Sequence, residues 1–280
     1  QQMVGAGAGC EAIKKLKDAP PILIVGGHVS ALPEQTLQEE AVDYVCVGEG
    51  VVTIVALYEQ ISEGKLNLES VPGLVWVNNS GLITQNTSAQ LIQDLDKDLH
   101  GNVWDMLPMK SYRAHNWQCF GALEERQPYA SIYTSLGCPF RCSFCCINAP
   151  FEANRYRMRK PDYVVAEIQM LNEEYGVKTF KIIDEMFVLN YRHVTAICEG
   201  IISLKKKLNF WAYARVDTVK KEFLGMLRKA GIRWLALGIE SGSTHVRDGA
   251  EKSFDTQEIK SIVREIQSAG IHVIGNFIFG

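Results

Sequence analysis

One stretch of this 280-residue chain has residue types and spacing that dictate a chemistry: Ser135-Leu136-Gly137-Cys138-Pro139-Phe140-Arg141-Cys142-Ser143-Phe144-Cys145, a C-x3-C-x2-C loop. Three thiolates on one short loop can bind three irons of a cubane, because thiolates are the usual ligands of such centres. One iron is then left without a cysteine and is open to another molecule. Structural zinc is the competing reading, and it wants four ligands, normally as two separated pairs. Cys146 adjoins Cys145 and is badly placed to complete such a set on one metal. Of the 8 cysteines, the three of the motif crowd into one loop while the others are scattered. That distribution reads as metal chemistry in a reducing cytoplasm.

Regular elements must hold the loop, and the flanking sequence predicts them. From residue 129 onward, strands at 131–135, 180–184, 210–215, 234–239 and 273–279 alternate with helices, which implies parallel strands joined by crossovers. The helix predicted over 161–175 puts Val164, Val165, Ile168, Leu171 and Tyr175 on one face and stops at Gly176. A second begins near Asn190, a third follows Asp217 as N-cap and closes at Gly231, and a fourth starts at Asp255 with Glu258 three residues on, a capping-box spacing, and ends at Gly270. Five strands with four crossovers make a partial (β/α) barrel, whose chemistry sits at the C-terminal strand ends. The cysteine loop follows the first of those strands. Asp184 and Glu185 end the second, Arg215 the third, Glu240 and Ser241 the fourth, and Asn276 lies on the fifth. A capping or solvated pair is the alternative reading for Asp184 and Glu185, and a structural ion pair the alternative for Arg215 and Glu240. Tyr156, Arg157 and Arg159 follow the loop and either cover it or form a solvated basic turn.

The loop and its placement resemble the radical S-adenosylmethionine superfamily over residues 129–280, with Phe144 as the aromatic of C-x3-C-x-aromatic-C. The resemblance implies a 4Fe-4S cluster on Cys138, Cys142 and Cys145. It implies that the open iron holds the amino and carboxylate groups of S-adenosylmethionine, which is split to a 5′-deoxyadenosyl radical. Asp184 or Glu185 would then bond the ammonium of that cofactor, although the family's usual glycines before the acid are missing here. Arg215 would hold its carboxylate or ribose, and Glu240 and Ser241 its nucleoside. An electron donor such as flavodoxin or ferredoxin is implied as a partner.

The first 62 residues carry a second resemblance. Val25-Gly26-Gly27-His28-Val29-Ser30, then Leu32-Pro33-Glu34, then Val42 through Gly48-Glu49-Gly50 look like the C-terminal half of the Rossmann-like cobalamin-binding domain fused to many of these enzymes. Gly26, Gly27, Gly48, Glu49 and Gly50 would lie against the cofactor, as at an α/β strand-end crevice; a generic α/β layer is the alternative. His28 is a turn residue in this reading. The unbroken apolar run 22–25 predicts a strand covered on both faces. A short helix is expected over 11–17, others over 33–40 and up to about 61, and a strand over 44–47. A hairpin at 74–84 and an irregular stretch to 128 form a connector.

The net charge of −3 with scattered basic residues excludes a nucleic-acid stripe or polybasic membrane patch. Apolar runs are strand-sized, too short to span a bilayer as a helix, and the N-terminus has no secretory pattern. A small-molecule substrate and a cytoplasmic location are expected. Both ends read as cut, so the chain is expected to be a piece of a longer protein. The expected activity is that of a cobalamin-dependent methyltransferase acting on an unactivated carbon. A radical cyclase or rearrangement enzyme is the alternative built from the same parts, and a non-catalytic iron-sulfur or zinc module the alternative of another class.

Overall fold

The computed structural model describes residues 2–64, 66–99, 103–119, 121–151, 154–252 and 254–279. The chain divides into two compact units, 1–92 with 145–154, and 93–144 with 155–280.

In the first unit, α1 (Gln2–Lys14) precedes β1 (Leu23–Ile24), α2 (Gly27–Ala31), α3 (Pro33–Glu39), β2 (Tyr44–Cys46), α4 (Val51–Ser62) and the hairpin β3 (Leu74–Val77) and β4 (Ile83–Gln85). These strands form one four-stranded sheet in the order β1-β2-β3-β4. Only β1 and β2 are parallel; β2 pairs antiparallel with β3, and β3 with β4. The hairpin expected in a connector therefore belongs to this sheet, because Val75 and Leu74 face β2 and bury completely. The strand expected to be covered on both faces is an edge strand of two half-buried residues, with Val25 46% exposed just beyond it. Apolar composition does not distinguish an edge strand from a central one. The first helix also starts earlier than expected, since Gly5, Gly7 and Gly9 are all helical.

The second unit is a five-stranded sheet in the order β11-β10-β9-β8-β5, all pairs parallel. Its elements run β5 (Tyr129–Ile132), β6 (Ser135–Leu136), β7 (Arg157–Met158), α5 (Pro161–Tyr175), β8 (Thr179–Ile182), α6 (Tyr191–Ser203), β9 (Asn209–Arg215), α7 (Lys221–Lys229), β10 (Ile232–Glu240), α8 (Thr244–Gly249), α9 (Thr256–Ser268) and β11 (His272–Phe277). One sheet face supplies Ile132, Phe180, Ile182, Phe210, Ala212, Leu235 and Leu237 to a core completed by α5, α6, α7 and α9. Strand alternation sends the neighbouring residues to the opposite face. There Trp211, Trp234 and Ala236, with Tyr213 and Ile274, form a separate apolar group.

The helix boundaries follow local chemistry. Pro161 opens α5 and Gly176, at φ 72°, ends it; Asn190 caps α6 by accepting from the His193 amide; Asp255 and Glu258 close the capping box of α9. Asp217 is not the N-cap of α7, a position held by Lys220. It sits in a 3-10 turn at Val216–Thr218 and turns back onto Arg215. The stretch expected to be irregular holds four 3-10 turns, among them Trp104–Met106 and Asn116–Gln118, with 100–102 and 120 outside the described residues. No helix of the described residues is long and apolar enough to cross a membrane.

Candidate cofactor site at the strand ends

The cysteine loop springs from a two-stranded ribbon, in which β6 pairs antiparallel with β7 through Ser135↔Met158 and Leu136↔Arg157. Polar bonds clamp both sides of its base. The Arg159 amide donates to the Thr134 carbonyl at 2.9 Å, and its guanidinium donates to the Tyr133 carbonyl at 3.1 Å and to Glu167 at 2.6 Å. Trp104 donates to the same Glu167 carboxylate at 2.9 Å. Arg159 is thus a buried structural residue and not the cover of the loop. Tyr156 donates to the Met186 carbonyl, and burial pushes its phenol up to about 12.

Asp184 follows β8 and is 1% exposed. One of its oxygens accepts the Thr134 amide at 2.6 Å, and the other accepts the Thr134 and Ser135 hydroxyls at 2.5 Å each. Both oxygens are therefore committed to the two residues that lead into the loop. Glu185 is half-buried and accepts the Gly137 amide at 3.0 Å, one residue before Cys138. Burial raises the pKa of both carboxyls against the lowering effect of these donors. Thr134 and Ser135 were silent in the sequence, because a hydroxyl in a strand carries no signal of its partner.

Arg215 ends β9, and Asp217 takes its guanidinium in a two-point pair at 2.9 Å for each bond. Burial disfavours that charge, but Asp217 and then Cys142 outweigh it and raise the Arg215 pKa. The remaining edge of the guanidinium donates to Cys142 Sγ at 3.3 Å, and its plane lies 3.8 Å from the centre of the Phe140 ring. A cation held this way suits a sulfur that ligates an anionic cluster. Cys138, Cys142, Cys145 and Cys146 are free thiols, the first two half-buried and the others exposed. Among the described residues no three His, Cys, Asp or Glu side chains gather as ligands of a single ion. A cubane asks for something else, since each thiolate binds its own iron.

Glu240 ends β10 with φ 65°, a left-handed conformation that costs a side-chain-bearing residue energy. Its carboxylate pairs with Lys252, which also donates to the Gly238 carbonyl at 3.2 Å and lies 5.7 Å from the centre of the Phe144 ring. The Ser241 hydroxyl accepts the Ser243 amide at 3.1 Å. Arg247, 0% exposed, supports this loop by donating to the carbonyls of Ser241 and Phe254 and to the hydroxyls of Thr244 and Thr256. Arg247 lies in the short helix α8 and Lys252 three residues beyond its end, where charged residues ordinarily face solvent, and nothing in the sequence marked them. Asn276 is exposed on β11.

In the first unit, Gly26 (φ 135°) and Gly50 (φ 91°) are the N-caps of α2 and α4, and Gly48 lies at φ 111°. A methyl group on Gly27 would meet Cys146 and Pro150 at 3.8–3.9 Å, and one on Gly48 would meet the Pro150 carbonyl at 3.7 Å. The segment after Cys145 thus runs against these turns. The Gly48 amide donates to Ser30, and Glu49 accepts the Ile92 amide at 2.9 Å. His28 lies within α2.

A parallel sheet whose C-terminal strand ends carry a three-thiol loop, paired carboxylates and a guanidinium defines a class of cofactor-dependent α/β proteins with chemistry at the strand ends. Residues 132–280 match the radical SAM superfamily, and the chain belongs to it. The chain is 29% identical over 268 residues to an uncharacterized methyltransferase of Pyrococcus horikoshii, covering 95% of this chain and 55% of that protein. It is 29% identical over 282 residues to the anaerobic magnesium-protoporphyrin IX monomethyl ester cyclase of Cereibacter sphaeroides, covering 96% and 44%. Among solved structures it resembles the radical S-adenosylmethionine methyltransferase TsrM of Kitasatospora setae with cobalamin and a 4Fe-4S cluster bound. The TM-score is 0.74 at 23% identity, over 98% of this chain and 53% of that one. The chain therefore spans about half the length of the proteins it matches.

Proposed function

We propose that the chain is the core of a cobalamin-dependent radical S-adenosylmethionine methyltransferase acting on an unactivated carbon. The observation that carries this reading is the Cys138–Cys142–Cys145 loop at the end of the first strand of a parallel sheet, with Arg215 beside Cys142. Resemblance to methyltransferases across both units supports the finer assignment.

Cys138, Cys142 and Cys145 would hold the 4Fe-4S cluster. Glu185 is the carboxylate of its pair that remains half-exposed and would bond the ammonium of S-adenosylmethionine; Asp184 acts through the loop it braces. Arg215, Glu240 and Ser241 would line the rest of that cofactor, and the turns at Gly26, Gly27, Gly48, Glu49 and Gly50 would lie against cobalamin. When bound, the cluster and S-adenosylmethionine supply a 5′-deoxyadenosyl radical, and cobalamin supplies the methyl group. The chain's own residues fix the loop, place one positive charge at Cys142, and present the strained Glu240 backbone at the strand end. A cyclase with the same cofactors is the second reading, favoured by the equally similar magnesium-protoporphyrin ester cyclase.

Anaerobic reconstitution tests the proposal. About four irons per chain and reductive cleavage of S-adenosylmethionine to 5′-deoxyadenosine are expected, with both lost in Cys138→Ala, Cys142→Ala and Cys145→Ala but kept in Cys146→Ala. Zinc in place of iron, or a cluster that depends on Cys146 and not on Cys145, contradicts it. Stoichiometric hydroxocobalamin binding supports the cobalamin assignment, and product masses separate methyl transfer from cyclisation.

A further inference from the structure

The amino-terminal end of the second unit's sheet gathers cations that are scattered in the sequence. A cavity of about 260 Å³ there is lined by Lys207 just before β9, Arg228 in the last turn of α7, Arg233 on β10 and His272 at the start of β11, with Asn209 and Glu125 among its other walls. Glu125 already has a cation, Lys178, at 3.6 Å. Neither guanidinium has a carboxylate or other acceptor among the described residues. A cation in the last turn of a helix is ordinary, but Arg228 is half-buried and packed on backbone, since a methyl group on Gly270, at φ 76°, would meet its Nε at 3.1 Å. Arg233 is placed by a bulge. β10 and β9 pair Ile232 with Phe210 and then Trp234 with Trp211, so Arg233 is an extra residue between them. Ile232 accordingly joins the helix-covered core and Trp234 the opposite face, although strict alternation would put both on one side. Bulges are rare between parallel strands and re-aim a side chain. Asn209 is 6% exposed, and among the described residues its side-chain amide reaches only the Gln118 carbonyl, at 3.5 Å, which leaves a second N–H to give.

We infer that this cavity binds a diphosphate group, as free pyrophosphate or as part of a nucleotide. The two arginines offer planar forks that bond phosphate oxygens two at a time, and Lys207 adds a point charge. With Glu125 offset by Lys178, these three cations exceed what a lone carboxylate calls for and match the higher charge of two linked phosphates. Asn209 opens β9 and Arg215 closes it, roughly 20 Å away at about 3.3 Å per residue. The ligand is therefore no reactant at the strand ends, and the site stands apart from the proposed function. Its effect is on the fold: one anion ties α7, β10, β11 and the start of β9 together, and a ligand that binds only the folded chain raises its melting temperature as its concentration rises.

The test is calorimetric titration of the chain with pyrophosphate, ADP and orthophosphate at physiological salt, with a chelator and without iron or S-adenosylmethionine. Saturable one-to-one binding of pyrophosphate or ADP is expected, roughly tenfold or more tighter than that of orthophosphate, the scale of one charge-assisted hydrogen bond. The tighter of the two names the source, pyrophosphate a free anion and ADP a nucleotide. Arg228→Gln and Arg233→Gln should each weaken binding roughly tenfold or more. Lys229→Gln, which removes an exposed cation beside Arg228 but outside the cavity, should leave it unchanged. If either arginine variant does not fold, protection of both arginines from phenylglyoxal by pyrophosphate, read by peptide mass in the wild-type chain, decides instead. Absence of saturable binding, orthophosphate bound as tightly, affinity kept in either arginine variant, an equal loss in Lys229→Gln, or unprotected arginines would overturn the inference. Because the measurement needs no cofactor, absence of S-adenosylmethionine cleavage alongside intact pyrophosphate binding counts against the proposed function and not against this site.

Discussion

At the carboxyl ends of β8, β9 and β10 the residues expected to touch a cofactor are side chains, and each already has a protein partner: Asp184 with Thr134 and Ser135, Glu185 with Gly137, Arg215 with Asp217 and Cys142, Glu240 with Lys252. In the first unit the corresponding residues are mostly glycines, and what they offer is backbone at positive φ. The difference separates two ways of building a site. A side-chain site gains precision from its partners but couples cofactor binding to the stability of its supports, whereas a backbone site depends on turn geometry and has little charge to lose. Mutations should therefore act on different observables in the two units.

The largest effect is expected at Asp184. Asp184→Ala removes the acceptor of three hydrogen bonds and strands the Thr134 and Ser135 donors in a buried site. A loss of about 3–5 kcal/mol in urea unfolding is expected, together with lower iron content on reconstitution. Asp184→Asn keeps two lone pairs and should lose less. Burial raises the Asp184 pKa, so the native state holds its proton more firmly than the unfolded chain does. The stability contributed is then fully present below the ordinary carboxyl value and is lost as pH rises through the raised one. The margin of wild type over Asp184→Asn should accordingly shrink from acid toward neutral pH; a margin that widens would show that the hydrogen bonds outweigh burial.

Arg247 comes next. It is fully buried and donates to four oxygens, none of them a carboxylate. Arg247→Met preserves the bulk but leaves the Ser241 and Phe254 carbonyls unpaired, for an expected cost of about 2–4 kcal/mol. A melt within error of wild type would mean that this loop is not organised around the guanidinium. A double-mutant cycle with Glu240→Gln and Lys252→Met should give a coupling of about 1–3 kcal/mol, as for charges in contact and largely shielded from water. Independence of the two changes would leave Glu240 uncommitted and strengthen its assignment to S-adenosylmethionine.

The same contrast explains what could be read from the chain. The helices 161–175 and 256–268 announce themselves by Pro161, Gly176 and the Asp255–Glu258 box, all local signals. The cysteine spacing is likewise local. Contacts made across the sheet are not: Asp184 meets Thr134 fifty residues away, and Cys142 meets Arg215 at a separation of 73. Such pairs arise from strand order, which periodicity does not encode. The same limit put Asp217 at a helix start, since an acid before a helix is the commonest cap and only tertiary geometry reveals the nearer guanidinium. The hairpin 74–85 was legible as a hairpin but not as part of the first sheet, because its partner β2 lies some thirty residues earlier.

The smallest expected effect falls on the backbone-built site. Gly50 caps α4 at φ 91° and ψ −34°, and a methyl group there would meet only Ile54 at 3.5 Å and Cys46 and Val25 at 3.9 Å, ordinary contacts. Gly50→Ala therefore reports backbone strain without a clash, with an expected cost of about 1–3 kcal/mol to the first unit. If the turn contacts cobalamin, hydroxocobalamin affinity should fall in step with this local loss, while iron binding by the second unit stays at the wild-type level. Glu49→Gln keeps an acceptor for the Ile92 amide and should leave both nearly untouched. A Gly50→Ala variant that loses its cluster as readily as Asp184→Ala would show that the two sites are not separable, and the contrast between side-chain and backbone construction would fail with it.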